Sequence, residues 1–317
     1  MTGPRRDHPS GYRSAQSLWT SVSDRMRPVA ADTGLTVSNL QRQFVYHRFL
    51  ARMFASTEGG WVLKGGTALL ARVRNARHTT DIDLQRTASN LDAAVAELRA
   101  ASEVDLGDYF RFVITGQPVL LPDRTTQPGT QVARIRVEAY VGARSLSSFN
   151  VDIVVGALIT TEPERSAPNP PVVVDGLVTP EHYLLYPIVD HVADKLCAIV
   201  ETHGATKAPS SRVRDLVDLV VIARTQSMHG GLLRTAIESE RQRRGLDPIT
   251  VFTTPAGWQA GYAKAARDVA QCSEHRTYTA AMQLVGVFLD PVLASAAGTA
   301  MWQPTTARWS EDWDSGR

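Results

Sequence analysis

Apolar residues return at close to the helical period from residue 36 onward. Leu40, Phe44, Leu50 and Phe54 form one stripe, which predicts a buried helix beginning near Thr36 or Ser38. The run WVL before Gly65 and Gly66 has the pattern of a buried strand, TALLARV that of a helix opening directly after the glycines, and TDIDLQ that of a second strand. Ser89 or Asn90 is placed to cap a further helix over LDAAVAELRAA. Three alternating segments follow, YFRFVIT, ARIRVEAYVG and FNVDIVVG, bounded by Gly, Pro and Asn, and they extend the same sheet. After the Pro-rich connector TTEPERSAPNPPVVVDG the pattern turns helical over roughly 181–204, 210–227, 231–244, 256–273 and 276–295.

This sequence of elements predicts an α+β protein whose lobes meet near 160–180. Residues 1–33, polar and broken by Pro and Gly, are expected to be loosely ordered; 34–175 form a mixed-sheet lobe with flanking helices, and 176–317 a helical lobe with a tryptophan-rich tail. The tail MWQPTTARWSEDWDSGR carries its tryptophans without helical spacing, so it either packs back through those rings or stays mobile.

Composition narrows the class. With 43% apolar and 21% charged residues over 317 positions, the chain has the balance of a globular enzyme with a sizeable core. No run approaches the roughly 18 apolar residues of a membrane span, so no membrane partner is expected. Cys197 and Cys272 have no second thiol or histidine at metal-ligand spacing, which predicts buried thiols and a reducing compartment. The first thirty residues lack the apolar core of a secretory signal, and the expected location is the cytoplasm. Net charge is only +2, but residues 1–60 hold eight arginines against four acids, and SSRVRD and ERQRRG add basic runs. These suit a phosphate-rich partner, while scattered solvated arginines remain the alternative.

The candidate chemistry lies in GGTALLARVRNARHTTDIDL. On a strand, Asp81 and Asp83 project from one face and Ile82 and Leu84 from the other, which sets two carboxylates about 7 Å apart. Like charges at that spacing call for a cation, and a hard divalent ion such as Mg²⁺ prefers such oxygen ligands. Asp152 in FNVDIVVG supplies a third carboxylate, enough for two ions. Gly65 and Gly66 allow a tight turn into a helix whose N-terminal amides suit phosphate, and Thr67 is placed to cap that helix or donate its hydroxyl. Lys64 and Arg77 bracket the turn, either against polyphosphate charge or as surface groups.

The same residues carry a family resemblance. GGTALLARVRNARHTTDIDL followed by the lone strand aspartate of FNVDIVVG resembles the Gly-Gly/Ser and Asp-x-Asp signature of the polymerase-beta-like nucleotidyltransferases. VADKLCAIVETHGATKAPSSRVRDLVDLVVIA, with Lys-x-x-Ala followed by Arg-Asp-x-x-Asp, narrows the resemblance to the AbiEii/AbiGii toxin family, including the MenT-like toxins, over roughly 35–295. The resemblance implies a two-lobed nucleotidyltransferase fold with Gly66 and Thr67 on the triphosphate of an NTP and two Mg²⁺ ions on Asp81, Asp83 and Asp152. It further implies Lys195 at the nucleotide phosphates, Asp215 beside it, and a toxin, partnered by an antitoxin protein, that transfers NMP to the tRNA 3′ end and blocks aminoacylation. Some relatives are silenced by phosphorylation just before the Asp-x-Asp, where Thr79 and Thr80 stand here. Two departures are Gly-Thr for the usual Gly-Ser, and the long spacer with GATKAPSS between Lys195 and Asp215.

Plainer readings stay beside these. Asp81 and Asp83 also read as solvated strand-edge carboxylates, and Lys195 with Asp215 or Asp218 as a salt bridge between packed helices. His78 reads as a solvated loop residue, His191 and Cys197 as packing residues. Within the same chemistry a small molecule such as an aminoglycoside is the alternative acceptor. Outside it stands an NTP-dependent protein-modifying or regulatory binding protein.

Overall fold

The computed structural model describes residues 9–55, 60–74, 76–77, 79–87, 90–121, 129–204 and 206–311. Its first element differs from the expected loose order over 15–33: Ala15–Thr33 is a helix, α1, and residues 1–8 lie outside the described residues. Ser14 and Ser17 close its first turn with a reciprocal capping box, and Leu18, Val22 and Met26, four residues apart, bury one stripe together with Trp19. Thr36 then caps α2 (Val37–Met53), and β1 (Trp61–Lys64), α3 (Gly65–Arg72) and β2 (Asp81–Arg86) follow as the pattern predicts. Asn90 caps α4 (Leu91–Ser102) through the Ala93 amide; Ser89, the other proposed cap, lies outside the described residues, as does His78.

β3 (Phe110–Leu120), β4 (Gln131–Val141) and β5 (Arg144–Val155) join β1 and β2 in a seven-stranded mixed sheet of order β3-β4-β5-β2-β1-β7-β6, where β6 is Glu164–Ser166 and β7 is Tyr183–Leu185. β2 runs parallel to β5 and β1 parallel to β7, and the remaining pairs are antiparallel. Alternation gives the sheet one apolar face, with Phe112, Ile135, Val137, Phe149, Val151 and Ile153 buried in a core shared with α1, α2 and α4. The opposite face of β2, β5, β4 and β3 carries the polar residues.

The C-terminal half packs a second core from α5 (Ile188–Val200), α6 (Val213–Thr225), α7 (Gly230–Arg243), α8 (Gln259–Ala266) and α9 (Tyr278–Leu293). The helix predicted from 181 begins only at Ile188, because Tyr183 to Leu185 is recruited as a strand beside β1. The core boundary therefore falls just after β7, later than residue 175. α3 belongs to both cores: Ala68 packs in the first, while Leu69, with Val73 and Ala76 just beyond the helix, packs in the second. Cys197 and Cys272 are free and buried, and burial pushes their thiols up, to about 12 and about 11.

Of the two outcomes open to the tail, it takes the packed one. Trp302 is fully buried against Phe288 and donates from Nε1 to the Ala223 carbonyl at 2.7 Å, on β10 (Met301–Gln303) paired with β11 (Arg308–Ser310). Trp309 donates to the Phe288 carbonyl; Trp313 lies outside the described residues.

Candidate active site

Register brings the acidic residues together. Asp83 of β2 lies directly beside Asp152 of β5, Asp81 beside Asn150, and on the other flank Lys64 of β1 pairs with Asp83. Neighbouring strands stand about 4.8 Å apart, so these carboxylates share one patch of the sheet's polar face. Asp81 and Asp83 are half-buried, while Asp152 is only 1% exposed.

Arg134, opposite Asp152 on β4, is the residue that sequence reasoning missed. Its Nε and Nη2 donate to Asp152 Oδ1 and Oδ2, each at 2.8 Å, and Nη2 stands 3.9 Å from Asp81 Oδ2. A buried carboxylate requires such a partner, and the planar guanidinium provides it bidentately. Alternation in ARIRVEAY shows that Arg134 faces the polar side, but its partner depends on the register of β4 against β5.

Among the described residues no three His, Cys, Asp or Glu side chains form a ready-made metal-ligand group, and both Asp152 oxygens are engaged by Arg134. The donor chemistry nonetheless fits a hard divalent ion. Three carboxylates from two adjacent strands face one way, and the protein already places a positive charge among them.

The glycine turn meets the same patch. Gly65 adopts φ +61°, and an added Cβ would collide with Asp83 Oδ2 and stand 2.8 Å from its Cγ. The Asp83 carboxylate thus sits at the positive end of α3, where the helix dipole favours a negative charge. A Cβ at Gly66 would come within 3.0 Å of Thr79 Oγ1 and 3.5 Å of Arg77 Nη2. Of its two expected uses Thr67 takes the second: it does not cap α3, whose N-cap is Lys64, and its hydroxyl donates to the Asp81 carbonyl at 2.9 Å. Thr79 is buried and donates to the same carbonyl at 3.3 Å, whereas Thr80 is exposed.

Lys195, Asp215 and Arg77 meet in a second cluster that joins the lobes. Lys195 donates to Asp215 at 3.0 Å and to Asp218 at 2.6 Å, the helix-to-helix salt bridge that the sequence left open. Arg77, from the segment before β2, clasps Asp218 through Nε and Nη2 at 2.7 and 2.8 Å, and Arg212 donates to Asp215. Burial pushes the Asp215 carboxyl up, but Lys195 and Arg212 outweigh it and hold it at about 2. The spacer with GATKAPSS folds into the small hairpin of β8 (Thr202–His203) and β9 (Ala208–Pro209), which returns α6 alongside α5; Ala205 lies outside the described residues. Lys64 is no surface group: its ammonium lies 3.7 Å from Asp194 and 3.9 Å above the Tyr186 ring.

The family model for the nucleotidyl transferase AbiEii toxins of type IV toxin–antitoxin systems matches residues 48–284, which contain every candidate site residue. The chain belongs to the AbiEii family. It is thereby a toxin of the nucleotidyltransferase class, and the type IV system implies an antitoxin partner. Two solved structures are similar to this AbiEii toxin. MenT4, a nucleotidyltransferase toxin from Mycobacterium tuberculosis, is 18% identical over 85% of this chain and 98% of its own, with a TM-score of 0.48. JHP933 from Helicobacter pylori is 16% identical over 80% of this chain and 96% of its own, with a TM-score of 0.39. No curated protein shows significant similarity to the chain. No described helix is long and apolar enough to cross a membrane.

Proposed function

We propose that this AbiEii toxin transfers a nucleoside monophosphate from an NTP to the 3′ end of tRNA and so blocks aminoacylation. One observation carries the reading: Asp81, Asp83 and Asp152 stand in adjacent register on one sheet face, beside the glycine turn that opens α3. Arg77 ties that turn to the cluster with Lys195, where three cations, Arg77, Lys195 and Arg212, meet two carboxylates. The surplus positive charge is suited to offset a triphosphate.

Asp81 and Asp83 would hold magnesium, with Asp152 as the third ligand. An ion held by these carboxylates would supply Lewis-acid stabilisation of charge at the phosphates and would make an acceptor hydroxyl more acidic. The protein's own share is position and charge. Gly65 lets the turn close onto Asp83, and Gly66 leaves the space beside Thr79 and Arg77 that a methyl group would crowd. Asp152, held by Arg134 at 2.8 Å on each oxygen and standing beside Asp83, is the carboxylate assigned to receive the proton of the acceptor hydroxyl. The acceptor oxygen bonds to the α-phosphorus, the bond to the bridging oxygen breaks, and pyrophosphate leaves.

Of the hydroxyls before the Asp-x-Asp, Thr80 is the one open to solvent and hence to a modifying enzyme. A phosphate there adds nearly two negative charges next to Asp81 and opposes NTP binding.

The test is incubation of the purified protein with magnesium, each α-labelled NTP and total RNA. Label on tRNA with release of pyrophosphate is expected, and Asp83→Ala is expected to keep the fold and lose transfer. Label appearing only on a small amine such as an aminoglycoside, or release of inorganic phosphate in place of pyrophosphate, overturns the reading.

A further inference from the structure

The polar face of the sheet does not end at the carboxylates. Pairing across β5, β4 and β3 arranges it in successive rows. The first row is Asp83, Asp152, Arg134 and Val119; the second is Asp81, Asn150, Arg136 and Thr115. The third is Ser148, Glu138 and Val113, and the fourth is Ser145, Tyr140 and Arg111. Arg111, Arg136, Ser145 and Ser148 are exposed, and Val119 is 57% exposed, while the opposite face of the same strands is buried against helices. Tyr140 lies six steps along β4 from Arg134, which makes the strip about 20 Å long at 3.4 Å per residue.

The chemistry along the strip changes with distance from the carboxylates. Arg136 donates to Ser148 in the middle, next to the amide of Asn150. At the far end the Arg111 guanidinium lies 4.5 Å above the Tyr140 ring, whose hydroxyl donates to Glu138 at 2.7 Å. Glu138 is thereby hydrogen-bonded within the strip, and among the described residues beyond the first row and Asp81 two arginines face this one carboxylate. A guanidinium plane backed by an aromatic ring is a flat cationic surface on which a nucleobase stacks, while hydroxyls and amides on a sheet match ribose hydroxyls and base edges.

We infer that this face of β5, β4 and β3 is the track on which an unpaired RNA 3′ end lies, with the terminal hydroxyl at Asp152 and a base two or three nucleotides upstream stacked on Arg111 and Tyr140. The inference rests on the proposed transfer to RNA and adds where the acceptor runs. On the α3 side Lys64 contacts Asp194 of α5 and Arg77 clasps Asp218 of α6, so the second lobe flanks the carboxylates there and that side is assigned to the NTP; the acceptor is assigned to the exposed described residues on the other side. A strip of this length fits the two or three bases that a four-stranded sheet holds. A duplex would instead need basic groups at both edges of a wide groove.

The test compares the wild-type chain with Arg136→Ser and with the double variant Arg111→Ser, Tyr140→Ala, each checked for an unchanged circular dichroism spectrum. The readout is steady-state transfer of labelled NMP to tRNA. The double variant is expected to raise the KM for tRNA by about 10-fold to 100-fold, with the KM for NTP unchanged and kcat largely retained at saturating tRNA. Arg136→Ser is expected to lower the slope of log affinity against log salt by about 0.7. Wild-type transfer with a variant KM for tRNA within twofold overturns the track and leaves the transfer reading standing. Equal competition by blunt-ended hairpin RNA and by the same hairpin with a 3′ overhang also overturns it. Absence of label on any RNA with the wild-type chain overturns both.

Discussion

Gly65 is the position where backbone geometry and chemistry can be separated by substitution. Gly65→Ala imposes a left-handed φ of +61° on a residue with a Cβ, which costs about 1–2 kcal/mol. The same methyl carbon would stand 2.8 Å from Asp83 Cγ and overlap Oδ2, so the carboxylate must retreat by roughly 1 Å, a displacement of the size that costs about 100-fold in rate. Gly34, which ends α1 at φ +71°, has nothing within 4 Å of an added Cβ and therefore carries the backbone cost alone. Gly34→Ala is expected to lose about 1–2 kcal/mol, a fall in Tm of roughly 2–8 °C by calorimetry, and Gly65→Ala at least as much. Only Gly65→Ala is expected to lose nucleotide transfer, by about 100-fold or more in kcat. Wild-type turnover in Gly65→Ala would refute the claim that the turn and Asp83 form one site; equal loss in Gly34→Ala would attribute the effect to stability.

Three further outcomes follow from the charged clusters. Asp218 is fully buried between Arg77 and Lys195, so Asp218→Asn removes the charge that both cations share and is expected to cost about 3–5 kcal/mol; an unchanged midpoint in urea unfolding would contradict this. Arg134→Gln leaves Asp152 without its guanidinium, so Tm should fall in EDTA and added magnesium should raise it more than in the wild type; equal gains would mean that no ion competes for that carboxylate. His47 is buried with Nδ1 2.6 Å from the Tyr183 hydroxyl, and burial, aided by Arg48, lowers its pKa to about 3. Its folded pKa lies below the unfolded value of about 6.5, so its contribution is complete above pH 6.5 and is lost as pH falls from there toward 3, at about 1.4 kcal/mol per unit. His47→Gln should reduce the slope of unfolding free energy against pH between 5 and 6 by that amount, and an unaltered slope would place the titration elsewhere.

Much of this protein was legible along the chain because its determinants are local. A period of two places Asp81 and Asp83 on one side of β2, and glycines followed by TALLAR open α3 where the pattern breaks. Thr36 and Asn90 cap the helices that they precede, and FNVDIVV alternates as β5 requires. Tertiary packing decided what depended on partners far away in sequence. Tyr183 to Leu185 is too short for its period to distinguish helix from strand, and its pairing with β1 decides the matter. The stripe of α1 gains meaning only against the sheet lobe that it helps to bury. Arg134 meets Asp152 because one register of β4 on β5 puts them opposite, and a shift by one residue would turn the arginine to the apolar face. Arg77 finds Asp218 across 141 positions, and Thr67 surrenders its hydroxyl to the Asp81 carbonyl once α3 docks on β2. Residue types and periodicity set what each segment offers, whereas register and docking select which charges face one another, because a charge pair depends on distance in space and is nearly blind to distance along the chain.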